Sequence, residues 1–257
     1  MARTVTAAVI LIGDELLSGR TQDSNLKTIA EFLHPLGVDV REARVIPDVH
    51  DTIVRTVDVL RTRHDYVFTT GGIGPTHDDI TADAVAAAFG RPIDVRADAV
   101  AILKPWYEAR GQDLTEGRMR MARIPAGAEL IQNPVSAAPG FLIGNVFVMA
   151  GIPSVMRGML QDVGHRIRGG AVVYAHTVRG VGMREGDIAD ALGALAKARP
   201  EVSFGSYPFM RLNGKTMEYG VNLVARCRDP DLIAASLEAL IELVKAQGVK
   251  PEIDPKD

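Results

Sequence analysis

The chain has 257 residues, enough for one large domain or for a medium and a small one. Its content of 47 % hydrophobic and 24 % charged residues is that of an ordinary globular protein. A formal net charge of −3, with the basic residues dispersed, argues against a nucleic-acid partner.

Strands and helices alternate through the first two thirds. Ala7 to Ile12 is a continuous apolar run, as for a strand covered on both faces. The stretch from Val5 ends in Gly13-Asp14-Glu15 with no small-residue cleavage site, so a signal peptide is not expected. No stretch approaches the roughly 20 apolar residues of a membrane helix, and the expected location is the cytoplasm. Asn25 to Leu36 carries Leu26, Ile29, Ala30 and Leu33 at helical spacing, stopped by Gly37. Val38 to Val45 alternates like a strand. Val49 to Arg63 repeats Ile53, Val57 and Leu60 on one helical face, and Tyr66 to Thr70 is the next strand. Ala97 to Gly111 reads as a helix with Pro105 inside it, Phe141 to Met149 as a hairpin turning at Gly144-Asn145, and Ile152 to Val163 as a helix.

This order predicts an α/β fold, a doubly wound and mostly parallel sheet over residues 1–168. After Gly169-Gly170 the order changes to strand, helix, two strands and helix (βαββα), a small α+β domain over 171–250. Its first helix is expected over Asp187 to Ala198 with Asp187 as its cap, its second strand over Val202 to Tyr207, and a polar tail over Pro251 to Asp257. Cys227 alternates with Val221, Leu223 and Ala225, which makes it a buried structural thiol; as the sole cysteine it excludes an internal disulfide and a zinc site of cysteines.

The most informative segment is Thr69-Thr70-Gly71-Gly72-Ile73-Gly74-Pro75-Thr76-His77-Asp78-Asp79-Ile80-Thr81, between a strand and a helical run from Ile80 to Phe89. Its glycines let the backbone approach a ligand, and the N–H groups of a helix start suit a phosphate. Neither G-x-x-x-x-G-K-S/T nor G-x-G-x-x-G follows a strand, so the P-loop and the dinucleotide fingerprint are both excluded. Asp78 and Asp79 are expected in the first helical turn, where Thr76 and Asp79 have the spacing of an acidic capping box. Beside a phosphate, however, two acids repel unless a divalent cation bridges them, or unless they accept hydrogen bonds from a sugar or heterocycle. In parallel sheets ligands bind beyond the carboxyl ends of strands, where both Gly13-Asp14-Glu15 and Gly71 to Asp79 fall. Glu15 reads either as a turn cap or as a partner of Asp78 and Asp79 around a cation, and Asn25 either as a helix cap or as a ligand contact. His77 is expected to face solvent.

Taken together, these motifs resemble the molybdopterin-binding domain of the MoaB/Mog type, and within it the competence/damage-inducible protein A (CinA) branch. The resemblance rests on Ile12 to Gly19, Asp23-Ser24-Asn25, Thr69 to Thr81, Met121 to Ala128, Asn133-Pro134 with Ala138-Pro139-Gly140-Phe141, and Ala150 to Met156. Two positions depart from the branch: Val155 stands where it has a glutamate, and Ser136-Ala137 where it has Gly-Thr or Gly-x. The resemblance implies a K-homology-like second domain, here without a basic GxxG loop and so without RNA binding, and a homodimer or larger assembly. Longer members continue into an amidase domain near where this chain ends, so deamidation of nicotinamide mononucleotide is not expected.

Two functions follow as expectations. The first is a metal-dependent pyrophosphatase for ADP-ribose- or FAD-like diphosphates, with Mg, Mn or Co held by Glu15, Asp78 and Asp79, and the two aspartates as catalytic groups. The second is a protein that binds molybdopterin or a nucleotide without turnover. In both, the ligand contacts are expected from Gly13, Glu15, Asn25, Thr70, Gly71, Gly72, Gly74, Pro75, Thr76, Pro139 and Gly140.

Overall fold

A computed structural model describes residues 3–214 and 216–253; Met1, Ala2, Lys215 and residues 254–257 lie outside the described residues. The chain divides into two compact units, Met1–Ala171 and Val172–Asp257.

The first unit runs β1 (Val5–Ile12), α1 (Asp14–Leu17), α2 (Asn25–Leu33), β2 (Val38–Ile46), α3 (His50–Arg63), β3 (Tyr66–Thr70), α4 (Thr81–Ala88), β4 (Ile93–Val95), α5 (Ala97–Glu108), α6 (Glu116–Met119), β5 (Arg123–Pro125), β6 (Glu129–Ile131), β7 (Gly140–Ile143), β8 (Val146–Met149) and α7 (Pro153–Val163). Its main sheet has the order β2-β1-β3-β8-β7-β6. Strands β2, β1, β3 and β8 are parallel, whereas β7 and β6 run antiparallel to their neighbours. Strands β4 and β5 pair separately.

The continuous apolar run of β1 is explained by its two buried faces. Ala8, Ile10 and Ile12 enter one core with Ile53, Val57 and Leu60 of α3, Val85 of α4 and Leu103 of α5. Ala7, Val9 and Leu11 enter the other with Ile29 and Leu33 of α2 and Met156, Met159 and Leu160 of α7. Phe68 and Phe147, cross-strand neighbours on β3 and β8, stack with ring centroids 4.8 Å apart in that second core. The chain leaves β1 for β2 on one side and passes to β3 on the other, so the sheet's switch point lies between β1 and β3.

The second unit runs β9 (Tyr174–Val181), α8 (Glu185–Ala198), β10 (Ser203–Asn213), β11 (Thr216–Cys227), α9 (Pro230–Ala246) and β12 (Pro251–Ile253). It forms an antiparallel sheet of order β10-β11-β9-β12. Val178, Val221, Leu223 and Ala225 of the sheet pack with Ile188 of α8 and Ile233, Leu240 and Val244 of α9. Cys227 belongs to this core, and its Sγ lies 3.2 Å from the Asp229 carbonyl oxygen.

Three readings in this unit need correction. Asp187 is not the cap of α8: the helix starts at Glu185, and Asp187 lies in its first turn. Strand β10 continues beyond Tyr207 to Asn213, because the hairpin with β11 pairs down to Asn213 and Thr216. Residues Pro251–Ile253 of the expected tail pair with β9 as a strand, and 254–257 lie outside the described residues. No helix among the described residues of the chain is long and apolar enough to cross a membrane.

Candidate functional site at the strand ends

Each of the four parallel strands of the first unit ends at one cavity of about 350 Å³. Strand β1 contributes Ile12, Gly13 and Glu15; β2 contributes Asp48; β3 contributes Gly71 to Pro75 with Asp78 and Asp79; β8 contributes Ala150, Gly151 and Ile152. Met121, Asn133, Ser136, Ala138, Val155 and Met159 complete the wall.

Backbone contacts set these loops beside one another. The Gly13 N–H donates to the Ile46 carbonyl at 3.1 Å, and the Gly71 N–H to the Met149 carbonyl at 3.2 Å. Gly71 has φ +107°, and a Cβ there would press into the Ile12 carbonyl oxygen, so only glycine fits. Gly72, at φ +66°, is equally constrained, since a Cβ would collide with the Thr81 hydroxyl.

The acidic loop is not the first turn of a helix. Helix α4 starts at Thr81, preceded by Ile80, so neither Asp78 nor Asp79 caps it. Asp79 instead closes its own loop: its carboxylate accepts from the Thr76 N–H at 2.9 Å and from the Thr76 hydroxyl. The capping-box residues thus pair with each other, in a turn that precedes the helix. This gives Asp79 a structural task and leaves Asp78 the more available carboxylate, with 69 % of its side chain exposed. His77 beside it is 99 % exposed, as expected for a solvent-facing side chain.

Of the residues singled out from sequence, Gly13, Glu15, Gly71, Gly72, Gly74, Pro75, Asp78 and Asp79 come together on the cavity wall. The remaining five lie off it. Thr70 is an interior strand residue, 2 % exposed. Thr76 serves Asp79. Gly140 is buried where a Cβ would meet the Val148 carbonyl, so its glycine is a packing requirement. Pro139 lines a small crevice with Arg120 and Arg123 that adjoins the cavity through Ile73, Gly74, Asp79 and Met121. Asn25 is 5 % exposed and donates Nδ2 to the Gly151 carbonyl at 2.8 Å, which ties α2 to the loop after β8. It is also not the cap of α2, since the Asp23 carboxylate accepts from the N–H groups of Asn25 and Leu26 at 3.0 and 3.1 Å.

Asp48 is an addition. It sits in the turn Ile46-Pro47-Asp48-Val49, accepts from the Asp14 N–H at 3.0 Å and faces the same cavity as Glu15 and Asp78. Partial burial raises its pKa, the Asp14 N–H opposes this, and the charges of Asp14, Glu15 and Asp78 raise it further. The signal that could have found it is positional: it is the acid after the second of the parallel strands.

A group whose folded pKa exceeds its unfolded value favours folding in its protonated form, so its contribution worsens as pH rises through the folded value. Asp48→Asn is therefore expected to raise the melting temperature at pH 7, and only modestly, because solvent screens a half-exposed carboxylate. The gain should vanish as pH falls toward the ordinary aspartate value of 3.8. Thermal melts across that range check it, and a lower melting temperature for the variant at pH 7 would contradict it.

Asn133 braces the opposite wall. Its Oδ1 accepts from the N–H groups of Val135 and Ser136 at 3.0 and 3.1 Å, and its Nδ2 donates to the Ser136 hydroxyl and the Ala138 carbonyl at 2.6 and 2.8 Å. Within this loop Ala137 holds φ 60°, the left-handed region that glycine occupies at less cost. Val155 is 7 % exposed and packs with Met156 and Met159 in the core behind the cavity.

Four carboxylates, those of Glu15, Asp48, Asp78 and Asp79, line this one cavity. No three His, Cys, Asp or Glu side chains among the described residues form a ready-made cage.

Comparison with known proteins agrees with this architecture. The profile of the probable molybdopterin binding domain matches residues 8–169, and that of the FAD synthase middle domain matches residues 174–253. A protein of Aeropyrum pernix is 34 % identical over 249 residues, covering 94 % of this chain and 92 % of the relative. A CinA-like protein of Desulfosudis oleivorans is 33 % identical over 209 residues, 77 % of this chain and 51 % of the relative. The crystal structure of a CinA protein of unknown function from Thermoplasma acidophilum is similar, with a TM-score of 0.59 and 35 % identity; the match covers 64 % of this chain and 99 % of that one.

Proposed function

We propose that this chain, which belongs to the CinA family of molybdopterin-binding domain proteins, binds a phosphorylated nucleotide or pterin at its strand ends. The observation that carries this reading is the convergence of a glycine-built loop and four carboxylates on one cavity. Gly71 has its N–H committed to Met149, so Gly72 to Gly74 are the loop residues whose backbone is placed to meet a phosphate. The apolar wall of Ile12, Ile152, Val155 and Met159 suits the flat face of a heterocycle. The match of the second unit to the FAD synthase middle domain adds support for a nucleotide. Titration of the protein with ADP-ribose and FAD, each with and without Mg²⁺, tests the reading.

A second reading, hydrolysis of the ligand's diphosphate, is favoured by Asp48. A half-buried carboxylate with a raised pKa accepts a proton from water more readily than an exposed one. Glu15 and Asp78 would hold the divalent cation (Mg²⁺, Mn²⁺ or Co²⁺). When bound, such an ion polarises a phosphoryl oxygen. Val155 bears on this reading, because the family resemblance puts a glutamate at its position. Val155→Glu is expected to raise the hydrolysis rate of ADP-ribose with Mg²⁺. It should also lower the melting temperature by several degrees, because the position is 7 % exposed within an apolar cluster. No gain in turnover from a folded variant would mean either that the family's glutamate is not catalytic or that the pocket serves binding alone.

A further inference from the structure

Three arginines on the segment from α6 to the first residue of β5 each reach a different part of the unit. Arg118 lies with its guanidinium 4.4 Å from the Tyr107 ring centre, which fixes the segment to α5, and donates to the Asp113 carbonyl between α5 and α6. Arg123 forms a two-pronged ion pair with Asp83 of α4 at 2.9 and 2.5 Å. Arg120, between them, turns to the acidic loop: its Nε donates to the Thr76 carbonyl at 3.1 Å and its Nη2 to the Asp79 carbonyl at 3.4 Å. Its neighbour Met121 lines the cavity itself. The loop from Gly74 to Asp79 thus has its internal closure, Asp79 on Thr76, and an external brace on the two residues that make that closure.

We propose that Arg120 is the positioning residue of the acidic loop. The rigid fork of its guanidinium spans the two carbonyls at once. Because Arg118 and Arg123 hold the segment to α5 and α4, the fork fixes the loop against the body of the unit. Asp78, one residue before the second braced carbonyl, is thereby held at the cavity wall. The consequence for ligand binding rests on the proposed function; the positioning itself does not.

The test uses the full chain. Hydrogen exchange of the ligand-free protein is compared for wild type, Arg120→Ala and Arg120→Lys, and the same proteins are titrated with ADP-ribose and Mg²⁺. Arg120→Ala is expected to speed exchange selectively over residues 73–80, with β1 and β3 unchanged, and to weaken binding about tenfold, as for the loss of charged hydrogen bonds. Lys carries the charge without the fork, so Arg120→Lys should restore less than half of either loss. It also serves as the test if the alanine variant does not fold. Unchanged exchange of the loop in Arg120→Ala, or full restoration by lysine, overturns the proposal. If wild type binds neither ADP-ribose nor FAD while Arg120→Ala still loosens the loop, the positioning role stands and the ligand reading falls.

Discussion

Replacing Asp78 by asparagine is expected to abolish the Mg²⁺-dependent part of ADP-ribose binding. The predicted loss is about a hundredfold, or roughly 2.7 kcal/mol, with the melting temperature within about 2 °C of wild type. The two halves of this prediction have separate grounds. Asp78 lines the cavity with Glu15 and Asp48, so its charge is among those available to a cation there. Its side chain is largely exposed, and its ion contact with His77 is long, at 3.9 Å. The Thr76 hydroxyl and the nearby His77 and Arg120 charges hold its carboxyl below the usual range, but solvent screens them, so the fold depends little on it. Asp79→Asn is the necessary contrast. That carboxylate closes the loop on the Thr76 N–H and hydroxyl, so its replacement disturbs loop geometry as well as charge and cannot separate the two. Calorimetric titration of both variants, with thermal melts alongside, checks the expectation. An Asp78→Asn protein with unaltered metal-dependent affinity would remove this residue from the site.

Gly71→Ala is expected to destabilise the protein by about 3 kcal/mol or more and to eliminate ligand binding. Two costs coincide at this position. The backbone sits at φ +107°, where a side chain is strained, and the added Cβ would drive into the Ile12 carbonyl oxygen at the end of the central strand. Gly151 offers no room on its side either, since a Cβ placed there lies 3.2 Å from the Gly71 Cα. Gly90 supplies the control. It has φ +58°, but an added Cβ meets nothing within 4 Å, so Gly90→Ala should cost only about 1 kcal/mol. Denaturant unfolding of the pair reads the difference. Equal losses from the two substitutions would mean that the close approach of the β1 and β3 ends is not a requirement of the fold.

The architecture was legible because its signals are periodic. The uninterrupted apolar run of β1 announced two buried faces, and α3 announced its core side through Ile53, Val57 and Leu60. The Gly144-Asn145 turn placed the β7–β8 hairpin. Boundaries were less legible where a short polar pattern has two solutions. Thr76 and Asp79 at a three-residue spacing satisfy both a helix cap and a self-closed turn, and the second one forms, with α4 delayed to Thr81.

The site divides in the same way. Glycines and acids directly after β1 and β3 were readable as a shared pocket, because both loops follow the carboxyl ends of parallel strands. Asn25 carried a motif signal, yet its amide nitrogen is given to the Gly151 carbonyl. Asp48 carried only a positional signal, as the acid after the second parallel strand, and Pro47-Asp48 there also reads as an ordinary turn. Only the sheet order, which sets β2 beside β1, shows that this turn opens on the same cavity. The Arg120 brace spans 41 to 44 residues in sequence and has no local pattern at all.

The most direct measurement of the central claim is isothermal titration of the wild-type protein with ADP-ribose and with FAD, in Mg²⁺ and again in excess chelator. Saturable binding at one site per chain, strengthened by Mg²⁺ and lost in Asp78→Asn, is the predicted result. Absence of binding by either ligand in Mg²⁺, or binding that the metal and Asp78 leave unchanged, would contradict a cavity in which the carboxylates and the glycine loop hold a phosphorylated nucleotide together.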